Sequence, residues 1–131
     1  MKRTYKDRDE FMKQFCGDPS KLDEKYDCMA FAGMTREALQ VCLDKGWTTK
    51  DEAQNSAPNV GEILDFLKDN PAFKAHGYVV TAERQDARIS VEGVQASGAP
   101  AEQVQEFINM FRHADNFDAS LESGDCFAWF D

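Results

Sequence analysis

No apolar run in this sequence approaches the ~20 residues that a helix needs to span a bilayer. The opening Met1-Lys2-Arg3-Thr4-Tyr5-Lys6-Asp7-Arg8-Asp9 mixes charges of both signs and leads into no apolar signal-peptide stretch. These absences predict a cytoplasmic protein that makes no membrane contact. Histidine is scarce: only His76 and His113 occur, with no HxH, HxxxH or HExxH spacing around either, so no metal site is expected. Cys16, Cys28, Cys42 and Cys126 include no CxxC pair, which argues against a zinc knuckle or redox dithiol and for reduced thiols. GxxxxGK[ST], GxGxxG and GxSxG strings are all missing. Neither the usual phosphate cradle nor a nucleophile elbow is therefore encoded, and no cofactor is expected.

What is present is core-building material. Apolar residues make up 42% of the 131, including ten Phe and two Trp, enough for a core without metal or disulfide support. No Gly/Ser or Pro-rich linker and no internal repeat divides the chain, so a single domain over residues 1–131 is the expectation. The net charge of -9 is unevenly placed: residues 1–50 hold ten Lys/Arg against nine Asp/Glu, and residues 51–131 hold five against fifteen. Such a surface repels phosphate backbones, making nucleic acid an unlikely partner, and attracts basic ones.

Residues 1–75 read as helical. Phe11, Met12 and Phe15 share a face and stop at Gly17-Asp18-Pro19. Ser20 caps a second segment running to Gly33, of which Asp27 to Ala32 reads alternatively as a strand. Thr35 caps a third helix, with Ala38, Leu39, Cys42 and Leu43 on one side. Thr49-Lys50-Asp51-Glu52 has capping-box form but sustains only a turn or two, and Asn59-Val60-Gly61-Glu62 opens a stronger helix that ends before Pro71. Four to five short helices follow from this pattern.

Residues 76–131 change period. Tyr78 to Arg84 and Arg88 to Val94 are β-branched and alternating, joined by Gln85-Asp86-Ala87. Pro100 opens a helix with Val104, Phe107, Ile108 and Phe111 as its buried stripe, and Phe117 to Glu122 and Cys126 to Asp131 then form a second hairpin. The fold class is α+β: a helical N-terminal part packed with a ββαββ four-stranded, mainly antiparallel sheet. Ile89, Val91, Phe117, Ala119 and Leu121 are expected to meet the helix, while Ser90, Glu92, Asp118, Ser120 and Glu122 line a wet acidic face. His76, beside Gly77 where a loop enters a strand, reads as a solvated loop residue.

The helix from Thr35 to Lys45, the turn at Thr49, the helix from Asn59 to Asp69 and the hairpin from Tyr78 to Val94 are, in order and length, similar to the winged-helix arrangement. That resemblance implies that the Asn59 to Asn70 helix takes the recognition position. It offers Glu62, Asp65 and Asp69 against Lys68 alone, so its charge disfavours nucleic acid.

Phe127, Trp129 and Phe130 place large rings on both faces of the last strand, and exposed rings mark interfaces. The leading expectation is a non-catalytic protein-binding or regulatory domain. Its partner, or a second copy in a homodimer, would engage Glu92, Asp118, Glu122, Phe127, Trp129 and Phe130. The alternative is a small enzyme or ligand carrier whose site lies between helices and sheet and leaves no short motif.

Overall fold

The computed structural model describes residues 2–24, 28–53, 56–80 and 87–130. Helix α1 (Lys2–Met12) buries Met12 and runs into a 3₁₀ turn at Lys13–Phe15. Cys16 then becomes extended and bridges Phe31. Arg8, fully buried on α1, donates to the Val80 carbonyl at 2.8 Å and pairs with Asp9, tying the helix to one end of the sheet.

The segment from Ser20 to Gly33 is not one helix. A 3₁₀ turn at Pro19–Glu24 is followed by strand β1 (Cys28–Met34). Phe31 and Met34 are buried while Ala30 and Ala32 are exposed, the period of a half-buried strand. Gly33 has φ 71°, the left-handed conformation that glycine supplies without a Cβ penalty, where the β1 ladder shifts register.

Helices α2 (Arg36–Asp44) and α3 (Val60–Asp69) form where the caps direct. Thr35 Oγ1 accepts from the Ala38 amide at 3.1 Å. Asn59 and Glu62 close a reciprocal capping box at 2.8 and 3.0 Å, worth ~1 kcal/mol. The Thr49 segment is a single turn whose Lys50 and Glu52 carbonyls accept from the Gly61 and Val60 amides, satisfying the first orphan donors of α3.

Strand β2 (Phe73–Val80) starts five residues earlier than expected, right after the Pro71 break, and pairs with β3 (Arg88–Ala96). The turn read at Gln85-Asp86-Ala87 falls mostly outside the described residues. Pro100 sits at the N-cap, one position before α4 (Ala101–Phe111). Strands β4 (Asn116–Ala119) and β5 (Cys126–Trp129) complete one antiparallel sheet of order β1-β2-β3-β5-β4.

The architecture is mixed α+β, and it differs from the expected layout: among the described residues the N-terminal part holds three α-helices and two 3₁₀ turns instead of four to five helices. Among the described residues the sheet has five strands, because β1, from the stretch read as helical or alternatively as a strand, joins the ββαββ unit at its edge. The hairpin β2–β3 lies inside that sheet instead of standing apart as a wing, so the winged-helix layout is not the one adopted. In addition, β4 stops at Ala119 and residues 120–125 form a turn, leaving Leu121 56% exposed instead of meeting the helix.

One face of the sheet carries the core. Rows Phe73, Ala96, Cys126, Ala119 and Ala75, Val94, Ala128, Phe117 cross β2, β3, β5 and β4. Helices α3 and α4 cover them with rings: Phe66 meets Phe73 at 5.1 Å, and Phe107 meets Phe73 at 5.1 Å and Phe117 at 5.2 Å. Phe111 touches Phe66, Phe107 and Phe130. Each ring removed from water contributes ~2 to 3 kcal/mol, which makes this aromatic layer the main cohesive element between helices and sheet.

Candidate functional site

The pairing that builds the core rows assigns the opposite face. Lys74, Gln95, Phe127 and Asp118 form one cross-strand row, and His76, Gly93, Trp129 and Asn116 the next. Strand periodicity therefore places His76, Phe127 and Trp129 together on the outer side, away from the helices. Tyr78 lies one step along the same face, its ring edge-on to Trp129 at 5.5 Å and 83°.

Gly93 makes the cluster. With no side chain on β3 at that point, the imidazole of His76 reaches across the strand to the β5 rings. It stacks on Trp129 at 4.6 Å and 12°, and on Phe127 at 5.0 Å and 9°. A Cβ on Gly93 would lie 2.5 Å from His76 Cε1 and closer still to the Ala128 carbonyl oxygen. The register shift beside Gly93 lets Glu92 turn its carboxylate back over Ser90, whose hydroxyl donates to it at 2.6 Å, while the Glu92 carbonyl accepts from the Phe130 amide at 2.8 Å.

His76 is therefore a buried strand residue, 1% exposed, and not the solvated loop residue expected. Neither ring nitrogen makes a well-aligned hydrogen bond among the described residues, although the backbone of Val94 and Ala128 lies beside them. Burial drives its pKa down from 6.5 to about 4, and the backbone groups of Val94 and Ala128 act more weakly in the opposite sense. The ring is neutral at physiological pH.

Beside these rings lies an open groove of about 420 Å³. Ala30 and Ala32 of β1 are too short to fill the space over the sheet, and the Gln14 to Gly17 segment walls it on one side. Its lining is mostly apolar, with Gln14 and Gln95 supplying amides. Cys16 also lines it, but burial first and Asp9 second push that thiol up to about 11. Burial likewise raises Cys42 to about 12. Both stay protonated at neutral pH, which suits packing over nucleophilic chemistry.

The six residues expected to meet a partner separate into three groups. Phe127 and Trp129 stand together on the outer face, Phe127 being 36% exposed, and Asp118 is exposed directly across from Phe127. Glu122 is exposed but belongs to the 120–125 turn, because β4 ends too early to carry it onto the face. Glu92 is buried against Ser90, and Phe130 is fully buried against Phe111, so neither contributes to the exposed surface. The continuous acidic face therefore does not form. Strand β5 is also interior, between β3 and β4, and the edges of the sheet are β1 and the short β4.

Sequence reasoning missed His76, Ala30 and Ala32. The legible signal was alternation through Lys74, His76 and Tyr78 opposite Gly93, but it requires knowing which strands pair. All four cysteines are unbridged. Among the described residues, no group of three or more His, Cys, Asp or Glu could hold a metal ion, and no helix is long and apolar enough to cross a membrane. No family model, curated protein or solved structure matches the chain.

Proposed function

We propose that the chain is a non-catalytic protein-binding module whose outer sheet face is its recognition surface. The observation that carries this reading is the ring cluster: exposed Phe127 and half-buried Trp129, both stacked on His76, stand beside a groove between β1 and β5. Aromatic side chains of this kind dominate binding energy at interfaces, because they bury large area with few rotatable bonds.

Charge supplies the second half of the recognition. Asp118 is exposed directly across from Phe127, which gives the β4 side of the rings an acidic rim. A partner presenting an apolar anchor with Lys or Arg beside it fits that arrangement, and the rim accelerates and orients its encounter. A homodimer through the same face is a less suitable occupant, because it brings two acidic rims together.

The test compares the tagged wild-type chain with Phe127→Asp and Asp118→Lys variants as baits in extract from the source cells, followed by titration of the purified partner. The reading expects a basic partner that Phe127→Asp loses and that Asp118→Lys binds more weakly at low salt than at high salt relative to wild type. Equal binding by all three baits would remove this face from consideration.

A further inference from the structure

The start of β2 brings together residues that the sequence keeps far apart. Met34, the last residue of β1, pairs with Ala75, so the Thr35 cap and the first turn of α2 follow beside Phe73 and Lys74. Helix α3 ends at Asp69, and Pro71 returns the chain into β2, which brings Lys68 to the same corner. These junctions surround a pocket of about 300 Å³, at the lower end of the ~300 to 1,000 Å³ typical of small-molecule sites. Buried Leu67 and Phe73 give it apolar surface, and Arg36, Lys68 and Lys74 line it against the single carboxylate of Glu37. In a chain of net charge -9, a concavity with surplus positive charge runs against the composition. That charge is not spent on neighbours. Lys68 and Lys74 make no ion pair or hydrogen bond among the described residues, and Arg36 pairs with Glu37 alone, at 3.3 Å. The first turn of α2 adds donors: Thr35 accepts from the Ala38 and Leu39 amides, whereas the Arg36 and Glu37 amides have no acceptor among the described residues.

We propose that this pocket binds the phosphate group of a small phosphate monoester. Its surplus of cations over Glu37 matches the double negative charge that such a group carries near neutral pH. Cations supplied by three different elements suit a tetrahedral group with several charged oxygens better than a planar carboxylate, and the two amides of α2 supplement them. Leu67, Phe73 and Pro71 accommodate the few carbons of the ester. A phosphate polymer does not fit, because the exposed Glu62, Asp65 and Asp69 of α3 repel an extended backbone while a compact ion enters the pocket alone. The pocket shares no lining residue with the groove beside Trp129, so the site is additional to the protein-binding face.

The experiment is an amide NMR titration of the full chain with inorganic phosphate and, separately, with chloride at matched ionic strength. Phosphate is expected to shift the amides of Arg36, Glu37, Lys68 and Lys74 along one saturable curve that chloride does not produce. Lys68→Gln combined with Lys74→Gln should weaken phosphate binding about tenfold, and Lys68→Gln alone, at an exposed side chain, about threefold. Lys45→Gln removes the same charge at the opposite end of α2 and should leave the affinity unchanged. Shifts that do not saturate, or equal weakening by Lys45→Gln and Lys68→Gln, overturn the inference. Glycerol phosphate and a phosphoserine peptide identify the source of the phosphate: tighter binding of glycerol phosphate supports a small ester, and peptide binding as tight or tighter overturns that assignment.

Discussion

His76 and Trp129 stack at 4.6 Å although a whole strand, β3, separates their backbones. The contact exists because Gly93 lies between them. A single absent side chain converts three separate strand positions into one cluster of rings.

Gly93→Val should therefore be among the more damaging substitutions, since its side chain would collide with His76 and with the Ala128 carbonyl. Overpacking of this kind costs ~1 to 3 kcal/mol or more. Urea unfolding should show a lower midpoint and, by near-ultraviolet circular dichroism, an altered Trp129 environment. An unchanged midpoint would contradict the placement of His76.

Stability should rise with pH across the window in which His76 differs between states. Its pKa is lowered from 6.5 to about 4 on folding, so between these values the unfolded chain binds a proton that the native one excludes. The contribution is fully present above pH 6.5 and is lost as pH falls toward 4, amounting to ~3 kcal/mol at most. Unfolding free energies measured across this range should follow that slope, and His76→Phe should flatten it. A slope unaltered by the substitution would mean that other groups produce it.

Alkylation separates the thiols. Cys28 is exposed and should react with iodoacetamide in the native state, whereas Cys42 is fully buried, its thiol raised to about 12, and should react only on unfolding. Mass mapping of the modified sites checks the order. Fast native labelling of Cys42 would place α2 wrongly.

Much of this architecture was legible before the structure. Thr35 and Asn59 announced α2 and α3 through their side-chain chemistry, and the Val104, Phe107, Phe111 stripe announced α4, because caps and helical periodicity are local signals. Strand β1 was ambiguous for a physical reason: Cys28 to Met34 is seven residues rich in alanine and methionine, which favour helices, and only pairing with β2 makes it a strand. The site was less legible. Phe127 and Trp129 were identified from alternation within one strand, but Glu92 escaped the outer surface through a register shift, and β4 ended before Glu122. His76 joined the rings only through the order β2-β3-β5, which no local pattern encodes.

The buried stripe of α4 offers a control independent of the binding face. Phe111→Ala should cost ~3 to 5 kcal/mol, since the ring is fully buried against Phe66, Phe107 and Phe130. Leu121→Ala, at an exposed turn, should change stability by less than ~0.5 kcal/mol. Denaturant unfolding of the two variants should rank them in that order, and a reversed ranking would mean that the helix register is wrong.

The most direct test of the outer face as a binding surface is native mass spectrometry of the chain isolated gently from its source cells, wild type beside Phe127→Asp. The account predicts a wild-type complex with a basic protein and a bare, folded Phe127→Asp monomer. The same species for both chains would contradict it.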